Sequence, residues 1–394
     1  MRDRQLSDTF KQNSEKLINK VGNKCTGCGA CVDACAISAI SFRKNSEGFF
    51  FPVIDVERCK KCNLCENICP SLNPIEGNEI IESYAAYSIR NYPGSSSGGI
   101  FSAFARHILE VDGVVYGAAL IDGIRLTHIR IKDKKELKDL SGSKYIQSNC
   151  IGVYQQVRDD LKSGIKVLFS GTPCQVSALR KFLHKEYDNL FTIDLICHGV
   201  PSPGIFRDYI HYCEALRKKT VTTFLTRDNR DGWDNKFRST LIFKDGTEEY
   251  NSMLSNLWNR IFFSELATRV SCSECQYATK KRQGDITLGD FWGIEQQCPE
   301  MYNNSGVSLL MINTPKGEIL FNFISEDIRK MTAITNELDH PNLFHPTHSN
   351  PLRDGFMSDY SRRGFDYIVN KYFGYSKWLD KKIRIKAFLK DLIK

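Results

Sequence analysis

Eight of the fifteen cysteines stand in two runs with the same internal spacing. The first run is Cys25, Cys28, Cys31 and Cys35; the second is Cys59, Cys62, Cys65 and Cys69, followed by Pro70. Each reads C-x2-C-x2-C-x3-C, the spacing that wraps a pair of cubane iron–sulfur clusters. A cubane needs four thiolates around one small inorganic core. The first three cysteines of a run fit a tight loop around one cluster; the fourth is expected to open a helix and reach the other. One [4Fe-4S] cluster is therefore assigned to Cys25, Cys28, Cys31 and Cys69, and a second to Cys59, Cys62, Cys65 and Cys35. Gly27 and Gly29 suit a loop that brings amides close to inorganic sulfur. Ala36 follows Cys35 where the pattern has proline, which is not a ligand. Zinc sites take four sulfurs in two pairs, and disulfide scaffolds are small and secreted; neither suits a duplicated run of this kind.

A second group of cysteines is scattered. Cys174, Cys197, Cys272 and Cys275 all lie in stretches rich in Gly, Pro or Ser, whereas Cys213 sits among apolar residues of a helical stretch and reads as core. Two separate cysteines plus one C-x2-C pair suit a zinc ion or a third cubane, and spacing alone does not choose.

The elements that must position these thiols are legible in outline. The 394 residues, 41% hydrophobic, suffice for two or three domains with a large core. Residues 1–20 are polar and amphipathic and predict a short helix; they lack the apolar run of a signal peptide. Residues 21–75 form a two-cluster ferredoxin-type module, in which ISFRKNSEGFFFPVID predicts a hairpin turning at Glu47-Gly48. Residues 71–80 read as a linker, and a second domain is expected over 82–300. There SYAAYSIR predicts a strand, followed by a Ser/Gly loop containing Ser96, Ser97, Gly98 and Gly99 and then the helical IFSAFARHILE. Small residues at a helix N-terminus offer free amides to an anion. IKVLFSG and LFTIDLICHG predict neighbouring parallel strands whose C-terminal ends carry Cys174 and Cys197, the edge where open α/β sheets bind ligands. The fold class is thus α+β / α/β: a ferredoxin-like module followed by a mixed α/β domain, with residues 301–394 expected as a C-terminal helical extension. No apolar run is long enough for a transmembrane helix. Abundant cysteine without a secretory signal implies a reducing cytoplasm. The net charge of +8 comes without basic stretches interleaved with aromatics, so no nucleic-acid partner is expected. The basic tail KWLDKKIRIKAFLKDLIK predicts an amphipathic helix that packs on the domain or touches a membrane surface or acidic partner.

From about residue 84 to 300 the chain resembles the family of coenzyme F420 hydrogenase beta subunits and their dehydrogenase relatives. The matching stretches are SSSGGIFSA, GSKYIQS, VLFSGTPCQVSAL, DLICHGVPSP and CSECQYATKKRQGDITLGDFWGI. The resemblance implies a flavoprotein that binds FAD beside a [4Fe-4S] cluster. It moves Cys174, Cys197, Cys272 and Cys275 from zinc towards that third cluster. It implies flavin contacts at Ser96, Ser97, Gly98 and Gly99, at Lys144, Tyr145, Gln147 and Ser148, and at Gly171, Thr172 and Gln175, with Lys144 placing positive charge near the ring. "F420" is here a family label rather than a substrate.

Together these features predict an iron–sulfur flavoprotein oxidoreductase. It would pass electrons between a hydride-carrying coenzyme, deazaflavin or nicotinamide, and a redox protein partner or enzyme subunit. The competing reading is an electron-transfer adaptor without a substrate of its own, serving another enzyme such as one of polysaccharide biosynthesis.

Overall fold

A computed structural model of the chain describes residues 18–90, 92, 94–234, 238–334 and 340–392. Most of the helix expected over 1–20 lies outside the described residues. In the ferredoxin-type module, β1 (Ile40–Lys44) and β2 (Phe50–Ile54) form the expected antiparallel hairpin, with Ile40 opposite Ile54. Two single-turn helices, Ala30–Asp33 and Leu64–Asn67, each enclose the third cysteine of a run, Cys31 and Cys65. The fourth cysteines, Cys35 and Cys69, therefore follow a helical turn rather than opening one, which corrects the sequence expectation. Each turn is entered through a left-handed residue, Gly29 at φ 87° and Asn63 at φ 60°.

The second domain is built on one eight-stranded sheet. Its strands are β3 (Glu82–Ser88), β4 (Val114–Ile121), β5 (Arg125–Ile131), β6 (Val167–Gly171) and β7 (Leu190–Leu195), then β11 (Ile286–Asp290), β12 (Ser308–Ile312) and β13 (Ile328–Thr332), in the order β13-β3-β12-β11-β7-β6-β4-β5. Strands β4, β6, β7 and β11 run parallel, as the strand–helix alternation predicts, while β5, β12 and β3 pair antiparallel at the flanks. A separate three-stranded sheet joins β8 (Val221–Leu225), β9 (Thr240–Phe243) and β10 (Glu248–Tyr250), the last two turning at Asp245-Gly246 as expected.

Both faces of the large sheet are covered. Alternate residues of β4 point to opposite sides: Val115 packs with α1 (Ile100–Glu110), while Tyr116 packs with α2 (Val153–Lys162) and α3 (Pro173–Leu183). That second core also takes in Ala30 and Ile68, so the module is docked on the α2/α3 face. The boundary expected at residue 300 is not a domain boundary. β12 and β13 lie beyond it, and both pair with β3, so the sheet is completed from the far end of the chain. The local reason is the apolar SLLMI of β12, every residue of which is buried. Only after residue 340 is the chain helical, and there α6 (Arg353–Arg363) and α7 (Phe365–Phe373) share a core with α4 (Pro203–Arg217) and α5 (Leu257–Phe263). The tail helix α8 (Lys377–Leu392) is anchored by Asp380, buried against Arg217 at 2.8 Å. No helix among the described residues is long and apolar enough to cross a membrane.

Candidate functional site

Cys25, Cys28, Cys31 and Cys69 line one small cavity together with Gly29, Phe42 and Pro70. This is the set of four that the spacing predicts, with Cys69 supplied by the other run. Their thiols act on one another: burial pushes Cys28 up to about 12, the amide of Ala30 opposing it and Cys25, Cys69 and Cys174 adding to it. Burial likewise raises Cys31, followed by Cys28, Cys25, Cys69 and then Cys65 of the second run. Such thiols stay protonated unless a cationic core draws the proton off, so metal binding releases protons here. In the second set, Cys65 is raised by burial and by Cys59, and amides point at sulfur: Ala39 N–H to Cys35 Sγ at 3.2 Å and Lys61 N–H to Cys59 Sγ at 3.4 Å. N–H···S bonds of this kind suit thiolates held by a cluster.

The scattered cysteines also come together. Cys174 lies in the first turn of α3, directly after β6, and Cys197 lies two residues beyond the adjacent parallel β7. Cys272 and Cys275 reach the same place from the short helix Val270–Ser273 and the loop after it. Burial and then Cys275 and Cys272 push Cys174 up to about 12; burial, Cys272, Cys174 and Cys275 raise Cys197. Among the described residues no group of three or more His, Cys, Asp or Glu closes to the distances of a single bound metal ion. The thiols stand in wider rings, which is the demand of a polynuclear core.

Two buried arginines hold these loops. Arg282 pairs with Asp194 of β7 at 3.1 Å and donates to the carbonyls of Leu195, Thr279 and Tyr277, tying the segment after Cys275 to the strand that leads to Cys197. Asp194 also accepts from the amides of Gln283 and Gly284. Arg269 donates to Cys25 O at 2.7 Å, to Gln147 Oε1 at 3.1 Å and to Phe50 O at 3.2 Å, and its guanidinium lies 4.2 Å from the Phe51 ring centroid. One side chain thereby fastens the module to the loop that carries Cys272.

A cavity of about 1040 Å³ opens between the Ser/Gly loop, the 138–144 segment and the 223–232 segment. Of the residues expected at a flavin, Ser97, Gly98, Gly99 and Lys144 line it. Gly98 is needed there, since a Cβ would stand 2.5 Å from Ala86 O. The other expected contacts are engaged elsewhere. Ser96 Oγ accepts from Ser143 N–H, joining two loops behind the wall. Tyr145 stacks on Phe262 at 4.4 Å. Gln147 donates to Thr26 O in the module. Thr172 and Gln175 close a capping box on α3, Gly171 packs on Gln175, and Gln175 donates to Ser148 Oγ and Cys150 Sγ. Lys144 is also not free: burial lowers it to about 7, and its Nζ donates to the carbonyls of Leu140, Ser141 and Gly142. It caps a helical turn instead of presenting a proton to a ligand.

The cation missed by the sequence reading is Arg227. It lines the cavity, is 6% exposed, and bonds Asp290 through Nη1 at 2.5 Å, while Nε and Nη2 are buried with no hydrogen-bond partner. Nothing in TRDNR marks it; its role depends on Asp290, which arrives from β11. Asp285 serves structure, accepting from Thr192 and Thr314. Trp292 stacks on Trp233 at 5.2 Å, with the Arg227 guanidinium 5.3 Å from its ring centroid. The cavity wall connects to the third cysteine set: Tyr145 stacks on Phe262, whose ring lies 5.2 Å from His198, the neighbour of Cys197.

Comparison with known proteins agrees with this layout. Residues 164–337 match the family described as the C terminus of the coenzyme F420 hydrogenase/dehydrogenase beta subunit, and residues 24–73 match the 4Fe-4S dicluster domain. The chain is an iron–sulfur electron-transfer protein related to the F420 hydrogenase and dehydrogenase beta subunits. An uncharacterized protein of Methanocaldococcus jannaschii is 24% identical over 80% of this chain and 90% of its own length. The F-type subunit of the F(420)H(2) dehydrogenase of Methanosarcina mazei is 22% identical over 44% of this chain, which spans about half, 53%, of that protein. An uncharacterized ferredoxin of M. jannaschii is 38% identical over 12% of this chain and 61% of its own length. Among solved structures, a chain of the F420-reducing [NiFe] hydrogenase complex from Methanosarcina barkeri aligns with a TM-score of 0.45 and 16% identity, covering 75% of this chain and 92% of that one. In this relative of the F420 beta subunits the matched segment begins just before β6, so it contains all four scattered cysteines and Arg227 but not the Ser/Gly loop.

Proposed function

We propose that the chain is an FAD-dependent oxidoreductase that connects a two-electron hydride carrier to a protein partner through three [4Fe-4S] clusters. The third cluster is assigned to Cys174, Cys197, Cys272 and Cys275, and the flavin to the large cavity. One observation carries the reading: cavity and thiol sets lie in series. Tyr145, Phe262 and His198 lead from the cavity wall to Cys197. Cys174 is close enough to affect Cys28, and Cys31 is affected by Cys65. FAD supplies the exchange of a hydride for single electrons when bound. The chain's own residues bind and orient. Ser97, Gly98 and Gly99 bring amides and small side chains to one wall, and Arg227 offers two unused N–H groups to an anionic part of the ligand. Asp290 and the Trp292 face hold that guanidinium in place. Tyr145 and Phe262 close the side facing Cys197 and exclude water between the cavity and the thiols.

The test is anaerobic purification with iron, sulfide and flavin counts. About twelve irons and one FAD per chain are expected, four irons per cubane. About eight irons with zinc and no flavin would sink the reading and leave the adaptor. Arg227→Met keeps the iron but loses flavin affinity by roughly tenfold or more, the weight of a charge-assisted bond in a buried site.

A further inference from the structure

Of the twelve cysteines assigned to clusters, Cys62 is the one exposed residue; the others are buried or intermediate. The second thiol set is therefore where the series of sites meets solvent. Its rim has a particular make-up. Arg58, Lys60 and Lys61 flank Cys59 and Cys62 and are exposed, and among the described residues neither lysine is paired with a carboxylate. Nearby acids are already engaged: Asp55 Oδ1 accepts from the amides of Glu57 and Arg58, and Glu66 pairs with Lys20 at 3.1 Å. Glu57 is the remaining exposed carboxylate of the loop. Arg58 reaches across to Ile37 O at 2.8 Å, joining this loop to the segment after Cys35. Three large apolar side chains are exposed within three residues of a second-set cysteine: Ile37 at 38%, Val56 at 48% and Leu64 at 36%. A small apolar patch with a like-charged rim suits a brief, steered encounter more than a permanent interface.

We infer that this face docks an acidic one-electron carrier protein, one whose redox centre is surrounded by carboxylates. The inference rests on the relay reading above. In each encounter one electron passes between the second cluster and the carrier, the one oxidised and the other reduced, with no proton or bond exchanged. Basic charge at the exit raises the encounter rate with an acidic carrier and lowers it with a basic one.

The experiment uses the anaerobically purified, dithionite-reduced holoprotein. Stopped-flow oxidation is followed with an acidic ferredoxin, with basic cytochrome c and with a small neutral quinone. For the wild type, the ferredoxin rate falls at least tenfold between about 0.05 and 0.5 M salt, as screening of an exposed charge patch requires. The double variant Lys60→Glu/Lys61→Glu loses at least tenfold with ferredoxin at low salt, gains with cytochrome c and is unchanged with the quinone. Lys60→Arg/Lys61→Arg restores the ferredoxin rate, and iron counts stay at the wild-type value. Lys162→Glu, an exposed lysine on α2 away from the module, leaves all three rates unchanged. A ferredoxin rate insensitive to salt, or equal losses in the Lys162→Glu and Lys60/Lys61 variants, overturns the docking face. A wild type that fails to reduce even the quinone overturns the relay as well as the docking. Salt-dependent binding to anionic lipid vesicles, with no change in ferredoxin rate between variants, would assign the patch to a membrane surface and overturn the proposal.

Discussion

His128 shows what a single buried residue contributes. Its Nε2 faces the carbonyl of Ser170 at 2.9 Å, so that nitrogen carries the proton, and Nδ1 accepts from Ser148 Oγ at 2.9 Å. Ser148 in turn accepts from Gln175, the residue after Cys174, and Cys150 Sγ lies 3.2 Å from His128 Nδ1. The ring is 4% exposed, and burial lowers its pKa from 6.5 to about 4. The unfolded chain binds a proton through pH 6.5 that the folded chain refuses until about pH 4. Stability therefore falls as pH drops through this window, by up to about 3 kcal/mol from this group. His128→Gln is expected to flatten that slope: between pH 7 and 5 its melting temperature falls by several degrees less than that of the wild type. Equal slopes in the two proteins would show that His128 does not titrate in this window. Lys144 is the contrasting residue. Its type and place suggested a flavin contact, yet three carbonyls occupy its three protons.

At the scale of elements, the decisive join is between β7 and the segment after Cys275. Both members of the Arg282–Asp194 pair are almost wholly buried, at 1% and 0% side-chain exposure. Removing one partner of such a pair costs about 3–5 kcal/mol, because the other is left charged and dry. Arg282→Met is expected to lower stability by that order and to release iron from the third set first. About eight irons should remain in a variant that still folds. Retention of the wild-type iron count would show that the cysteine loops hold their geometry without the clamp. The α3 terminus is equally directed: Pro173 opens the helix, the Thr172–Gln175 capping box closes its first turn, and Cys174 is held between them.

At the scale of the whole molecule, the question is how the module stays docked. Gly48 of the hairpin turn and Gly204 at the start of α4 meet backbone to backbone; a Cβ on Gly204 would lie 2.6 Å from Gly48 Cα. Around this contact Ser202 Oγ donates to Glu47 O at 2.6 Å, and Arg353 pairs with Glu47 at 2.7 Å. Gly204→Ala forces the two backbones apart and is expected to cost about 1–3 kcal/mol. Protease cleavage in the 71–80 segment should be faster in this variant, as read by limited digestion of the holoprotein. Unchanged digestion would mean that Arg269 and Arg353 hold the module without the close approach. The C-terminal strands make the same point about unity: β12 and β13 complete the sheet begun by β3, so loss of the chain beyond 300 would expose β11.

The sequence alone determined the two interleaved cysteine sets, because ligand spacing in a cubane loop is a local constraint and is written in consecutive residues. It also determined the strands and helices around Cys174 and Cys197, where apolar runs alternate with amphipathic ones, and the hairpins at Glu47-Gly48 and Asp245-Gly246. Tertiary structure decided what depends on residues far apart. The convergence of Cys174 and Cys197 with Cys272 and Cys275 rests on a parallel strand pairing and a buried ion pair across 88 positions. The sheet's membership past residue 300 rests on pairing with β3, and no local pattern announces a partner so distant in sequence. The cavity's cation is Arg227 rather than Lys144 because a side chain's role depends on which of its protons are already bonded, and that is settled only when the carbonyls and carboxylates around it have been brought into place.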